Sequence, residues 1–126
     1  NDFDTRISII GDRAFGFRRF NRKNDFRSSG SNLIDYAKDK INIQFVKIAF
    51  EVSQKLGFQS MAYDFLYNEN GDPEFCEISY VYKDYMVYDC PGYWDTNLQF
   101  HEGHYFPQYC MLMDLLNMPD LKQPEL

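Results

Sequence analysis

Two acidic residues, Asp64 and Glu77, flank a turn-forming run, Asn68 to Asp72, that joins two strand-like segments, Ser60 to Asn68 and Glu74 to Tyr80. If Asn70-Gly71 is the two-residue loop of a type I′ hairpin, Glu69 pairs with Asp72 and each further pair keeps the same index sum. Asp64 then falls directly opposite Glu77, with Ala62, Leu66 and Ser79 on the same face. Like charges facing each other destabilise a hairpin, and a divalent cation turns that cost into a binding site. Mg²⁺ suits such a pair, because it takes one or two carboxylates and completes its octahedron with water and phosphate oxygens. The alternative is two solvent-facing acids on an edge hairpin, and a one-residue slip in register would move one acid to the other face.

A second set of charges lies in the first twenty residues. Arg6 to Ile10 reads as a strand, Gly11-Asp12 as a turn, and Ala14 to Phe20 as the returning strand. Whether the turn is Gly11-Asp12 or Asp12-Arg13, Arg6 and Arg19 share a face. Two guanidiniums side by side can grip a phosphate through forked hydrogen bonds. Arg18 points the other way and reads as an exposed or snorkelling surface charge. The loop 21–32 adds Arg27 within Phe26-Arg27-Ser28-Ser29-Gly30-Ser31, small enough for backbone to approach an anion. It lacks the spacing of a P-loop.

Residues 43–57 carry helical spacing, with Phe45, Ala49, Val52 and Leu56 in one stripe, Val46 and Phe50 beside it, and Gly57 where a left-handed cap belongs. Residues 81–104 read as irregular and aromatic, before an amphipathic helix from about Phe106 to Asn117 with Tyr109, Leu112, Met113 and Leu116 on one side; Pro119 ends it. The whole is an α+β chain, a mostly antiparallel sheet of two hairpins packed with helices. It is read as one domain over residues 1–126: basic hairpin 1–20, loop 21–32, helix 43–57, acidic hairpin 60–80, and aromatic segment with terminal helix 81–126.

Composition narrows the function. The 126 residues carry a net charge of −6, and aromatics make up 18%. Residues 1–31 are basic (+3) and the remainder strongly acidic (−9), which favours a locally held anionic ligand over a nucleic acid. No apolar run is long enough to span a bilayer, and three cysteines without ligand spacing suggest reduced thiols, so no membrane role and a cytoplasmic setting are expected. The start without Met, directly in a strand-like stretch, reads as an excised fragment or as a numbering that omits the rest.

Asp4 to Asp12, Phe17-Arg18-Arg19-Phe20 and Asn24-Asp25-Phe26-Arg27-Ser28-Ser29-Gly30 resemble the C-terminal lobe of ATP-grasp enzymes, in the style of the ribosomal-protein-modifying glutamate ligases. Leu56-Gly57-Phe58, Tyr63-Asp64-Phe65-Leu66 and Phe75-Cys76-Glu77-Ile78-Ser79 resemble that family's metal-binding hairpin. The resemblance covers residues 4–80. It implies that Arg6 contacts the terminal phosphate and supports its transfer, that Arg19 helps bind phosphate or substrate, and that Leu66 packs near the base; Arg27 of the loop is expected to add to the nucleotide contacts. It further implies Mg²⁺, with Mn²⁺ as a substitute, on Asp64, Glu77 and Ser79. The implied activity is ATP-dependent joining of a carboxylate to an amine or similar nucleophile through an acylphosphate. A looser likeness of Gly92-Tyr93-Trp94-Asp95 to carbamoyl-phosphate-synthase-like proteins leans toward polysaccharide biosynthesis.

Two features depart from the pattern. Ser79 stands where the family usually has Asn, a weaker ligand, which leaves open a catalytically degenerate descendant that binds a nucleotide or a partner. The N-terminal lobe that would complete the nucleotide site is the implied partner, so the fragment alone is expected to be inactive. His101-Glu102-Gly103-His104 lacks zincin spacing and reads as structural or surface; Pro91 to Asp95 reads as a packed aromatic turn. Cys76 alternates away from Glu77 and reads as a buried thiol.

Overall fold

The computed structural model describes residues 3–20 and 33–116. Strands β1 (Phe3–Ile10) and β2 (Arg13–Phe20) form the first hairpin, and β3 (Leu33–Asp35) adds to β2. Helix α1 (Ile43–Leu56) leads into the second hairpin, β4 (Ser60–Tyr67) and β5 (Pro73–Ser79). Helix α2 (Asp84–Asp89), strands β6 (Gly92–Trp94) and β7 (Phe100–Glu102) and helix α3 (Pro107–Leu116) follow. Among the described residues, all seven strands belong to one antiparallel sheet, ordered β5-β4-β1-β2-β6-β7, with β3 also on β2. The fold is thus α+β, an antiparallel sheet packed with helices.

Alternation along β1, β2 and β4 sends Ile7, Ile9, Met61, Tyr63 and Phe65 to one side, where α1 covers them with Phe45, Val46, Ala49 and Phe50. Asn42 caps α1 by accepting the Gln44 N–H, and Gly57 ends it at φ 71°. The buried stripe continues through Ser53, whose hydroxyl meets the Tyr63 hydroxyl at 2.6 Å, while Leu56 stands 59% exposed. The stripe therefore turns away from Leu56 in the last turn.

The other side of the sheet is divided. Near the first hairpin's turn, Ile10, Phe15 and Phe17 pack under α2 and α3 with Val87, Cys90 and Cys110. Away from the turn, the same alternation brings up Asp4, Arg6, Arg19 and Asp64. Asp114 of α3 clamps the turn end, accepting from Arg13 and Gln59 at 3.0 Å each.

Several expectations need correction. The second hairpin's loop is Glu69-Asn70-Gly71, closed by the Gly71 N–H on the Asn68 carbonyl, with Gly71 at φ 80°. Pairs near the turn are therefore Tyr67↔Pro73, Leu66↔Glu74 and Phe65↔Phe75. A bulge then inserts Cys76, and the register returns to Asp64↔Glu77 and Ala62↔Ser79. The bulged Cys76 lies exposed on an edge strand, not in the core. Residues 81–104 are not irregular: they supply α2 and the β6/β7 hairpin, with Trp94 buried. In α3 the buried residues are Pro107, Cys110 and Met113, and Leu112 and Leu116 are exposed.

Two outcomes check this packing. Phe45 stacks on Phe65 at 4.6 Å, so Phe45→Ala should lower the unfolding free energy by about 3–5 kcal/mol in urea titration. Burial, with Cys90, Asp89 and Tyr85 nearby, pushes the Tyr36 hydroxyl from 10.0 up to about 12. The fold thus favours the neutral phenol, a contribution complete below the unfolded value and lost as pH rises through the folded one. Tyr36→Phe should lose less stability than the wild type across that alkaline window.

Candidate functional site

The sheet order sets the charged groups side by side. β4 pairs with β1, so Asp64 sits opposite Arg6; β1 pairs with β2, so Asp4 sits opposite Arg19. Arg6 holds Asp64 in a fork, Nε to Oδ1 at 2.8 Å and Nη2 to Oδ2 at 3.0 Å. Arg19 grips Asp4 through Nε at 2.9 Å and Nη2 at 2.5 Å, and the same Nη2 lies 3.1 Å from Asp64 Oδ2. Asp64 is 2% exposed, whereas the Arg6 side chain keeps 13% and Arg19 21%.

A carboxylate offers about four lone-pair positions. Asp64 commits three of them to guanidiniums, two on Oδ2 and one on Oδ1. Burial opposes the charge on Arg19, but the hydrogen bond to Asp4 and the charge of Asp64 more than offset it, so its pKa is raised. The four side chains together carry no net charge, and both arginine side chains are partly exposed.

Glu77 lies across from Asp64 on the outer strand, exposed, and makes no ion pair or side-chain hydrogen bond among the described residues. Ser79 stands two residues further on, opposite Ala62, but its Oγ donates to the Val81 carbonyl at 2.9 Å and accepts the Val81 N–H at 3.2 Å. Leu66, half-buried and two residues from Asp64, shares the face. Arg27 lies outside the described residues. Arg18 is on the opposite face as expected from alternation, but half-buried: it pairs with Asp35 and lies over the rings of Phe3 and Phe20.

Asp4 belongs to the site and escaped the sequence reading. Its signal was present, since the Gly11-Asp12 turn that aligns Ile10 with Arg13 also aligns Asp4 with Arg19. The two histidines do not meet at a common centre: His101 bonds Asp95 at 2.7 Å, and His104 Nδ1 lies 2.7 Å from the Tyr88 carbonyl. Among the described residues, no three His, Cys, Asp or Glu side chains are gathered as a metal-ligating group.

No protein-family model matches the chain, and no curated protein matches it. Among solved structures it is similar to the macrocyclase MdnC from Microcystis aeruginosa MRC, crystallised with the precursor peptide MdnA. The TM-score is 0.57 at 18% identity, over 92% of this chain and 33% of that one. The chain therefore spans about a third of that protein's length, and the likeness, one of fold alone, supports an ATP-grasp-like architecture.

Arg6→Ala would strand the buried Asp64 carboxylate with only Arg19 beside it. The expected loss is about 3–5 kcal/mol by urea unfolding. Removing Asp64 as well should recover part of that loss, giving a measurable coupling in a double-mutant cycle.

Proposed function

We propose that this chain is the C-terminal lobe of an ATP-dependent carboxylate–amine (or similar) ligase that works through an acylphosphate. The observation that carries the reading is the row Glu77–Asp64–Arg6 across three neighbouring strands, with Arg19 joined to it. Cation-binding and anion-binding side chains there lie within reach of one another on a rigid sheet, which suits a metal–phosphate ligand. The ATP-grasp-like architecture adds to it.

In this reading Arg6, whose side chain keeps 13% exposure, binds and orients the terminal phosphate. Arg19, anchored on Asp4, supplies a second fixed positive charge, and Leu66 offers an apolar contact toward the nucleotide. The oxygen donors of Glu77 and Asp64 fit Mg²⁺ or Mn²⁺ in type, although Asp64 has one lone pair to spare and Ser79 is turned to its own backbone. When bound, the cation would neutralise charge on the phosphoryl group in transfer. The remaining lobe of a two-lobed site, and the acceptor amine, belong outside residues 1–126. A peptide is one substrate class to test, since the similar macrocyclase was crystallised with a precursor peptide. A polysaccharide setting rests on the looser likeness of Gly92 to Asp95 alone.

A catalytically degenerate descendant that still binds a nucleotide or a partner is the second reading, and Ser79, engaged with Val81, favours it. Titrating the intact polypeptide with Mg–ATP and with ATP in EDTA, for wild type and Glu77→Ala, tests the binding common to both. We expect metal-dependent binding that weakens on the order of tenfold, about 1.4 kcal/mol, in the variant. Metal-independent binding, or binding untouched by the substitution, would contradict the metal–nucleotide reading. ADP release that depends on an added carboxylate separates a ligase from its inactive descendant.

A further inference from the structure

Resting on the nucleotide reading above, we infer that Arg6 and Asp64 form an exchangeable latch, opened by an anion and a divalent cation together and poorly by either alone. Arg6 has one partner among the described residues, the fork onto Asp64. Arg19 has two, and its fork onto Asp4 survives if Asp64 is withdrawn. Arg6 is therefore the guanidinium free to exchange, and Asp4 is the positioning residue that keeps Arg19 in place.

Each ligand alone meets an obstacle set by this arrangement. A cation approaching Asp64 meets two guanidiniums and a carboxylate with three lone pairs already taken. Drawing Asp64 away would leave Arg6 unpaired beside a second positive charge. An anion drawing Arg6 away would leave the Asp64 carboxylate, 2% exposed, short of its fork, beside Glu77 and Asp4. Uncompensated buried charge is the costliest state available to such a group.

Together the two ligands remove both obstacles. The anion offers Arg6 a forked acceptor in place of Asp64. Asp64, released from Arg6, and Glu77, which lies directly across the strand pair and makes no side-chain bond among the described residues, would together hold the cation. Because each ligand supplies the partner that the other displaces, their affinities are coupled, and linkage requires the coupling to be the same in both directions.

The test is Mn²⁺ binding to the intact polypeptide, followed by the electron paramagnetic resonance of the free ion, in chloride and in sulfate at matched ionic strength. Wild type should bind Mn²⁺ weakly in chloride and on the order of 5–150-fold more tightly with sulfate. Sulfate affinity should rise by the same factor with Mn²⁺. Arg6→Gln should bind Mn²⁺ more tightly than wild type in chloride and lose the sulfate effect. Should that variant not fold, Arg6→Lys, which keeps the charge without the fork, should show a reduced effect. Equal Mn²⁺ affinity in the two salts, or an Arg6 variant with the wild-type response, overturns the latch. If Mn–ADP still binds in that case, the nucleotide reading stands without it; if neither Mn–ADP nor sulfate binds, both fall.

Discussion

The Asp64 carboxylate is the group around which the charged half of the sheet is arranged. At 2% exposure it must be paired, and the strand order supplies Arg6 directly opposite and Arg19 at the diagonal. A buried carboxylate left alone costs several kcal/mol, so the partners, their rotamers and the register of three strands are tied to one another. The apolar half of the same face, with Ile10, Phe15 and Phe17 under α2 and α3, keeps the turn end closed. The reverse face is packed on α1 beneath the charges.

That arrangement has the two signs of charge needed for a metal–phosphate ligand but satisfies them internally. The four side chains of the network sum to zero, and Glu77, a carboxylate unengaged among the described residues, lies beside them on the edge strand. Anchoring Arg19 on Asp4 leaves one guanidinium fixed and one exchangeable, which is how a rigid sheet can still rearrange locally.

Much of the fold and the candidate site was legible because it rests on local rules. Alternation puts Arg6 and Arg19 on one face, and a glycine just past the apolar stripe marks the cap at Gly57, where φ is 71°. The pairing of Asp64 with Glu77 was reached through two departures that cancel: a loop one residue longer than a type I′ turn, and one bulged residue, Cys76. A bulge leaves no clear mark in a strand-like run, so Cys76 was misplaced in the core. The contact of β1 with β4 is non-local and leaves no periodicity, so the Arg6–Asp64 fork could not be read in advance. Strands β6 and β7 have three residues each, too short for alternation to register. In α3 the buried line runs through Pro107, Cys110 and Met113, and leucine content drew the stripe toward the wrong side.

The central claim is that Arg6 and Arg19 on this face meet the phosphate of a nucleotide. Side-chain Nε–H resonances of arginine, recorded by NMR on the intact polypeptide as Mg–ATP is added, address it directly. The account predicts that the Arg6 resonance moves most and Arg19 less, while Arg13, clamped to Asp114, and Arg18, paired with Asp35, stay in place. Unchanged Arg6 and Arg19 resonances in the presence of bound nucleotide would contradict it.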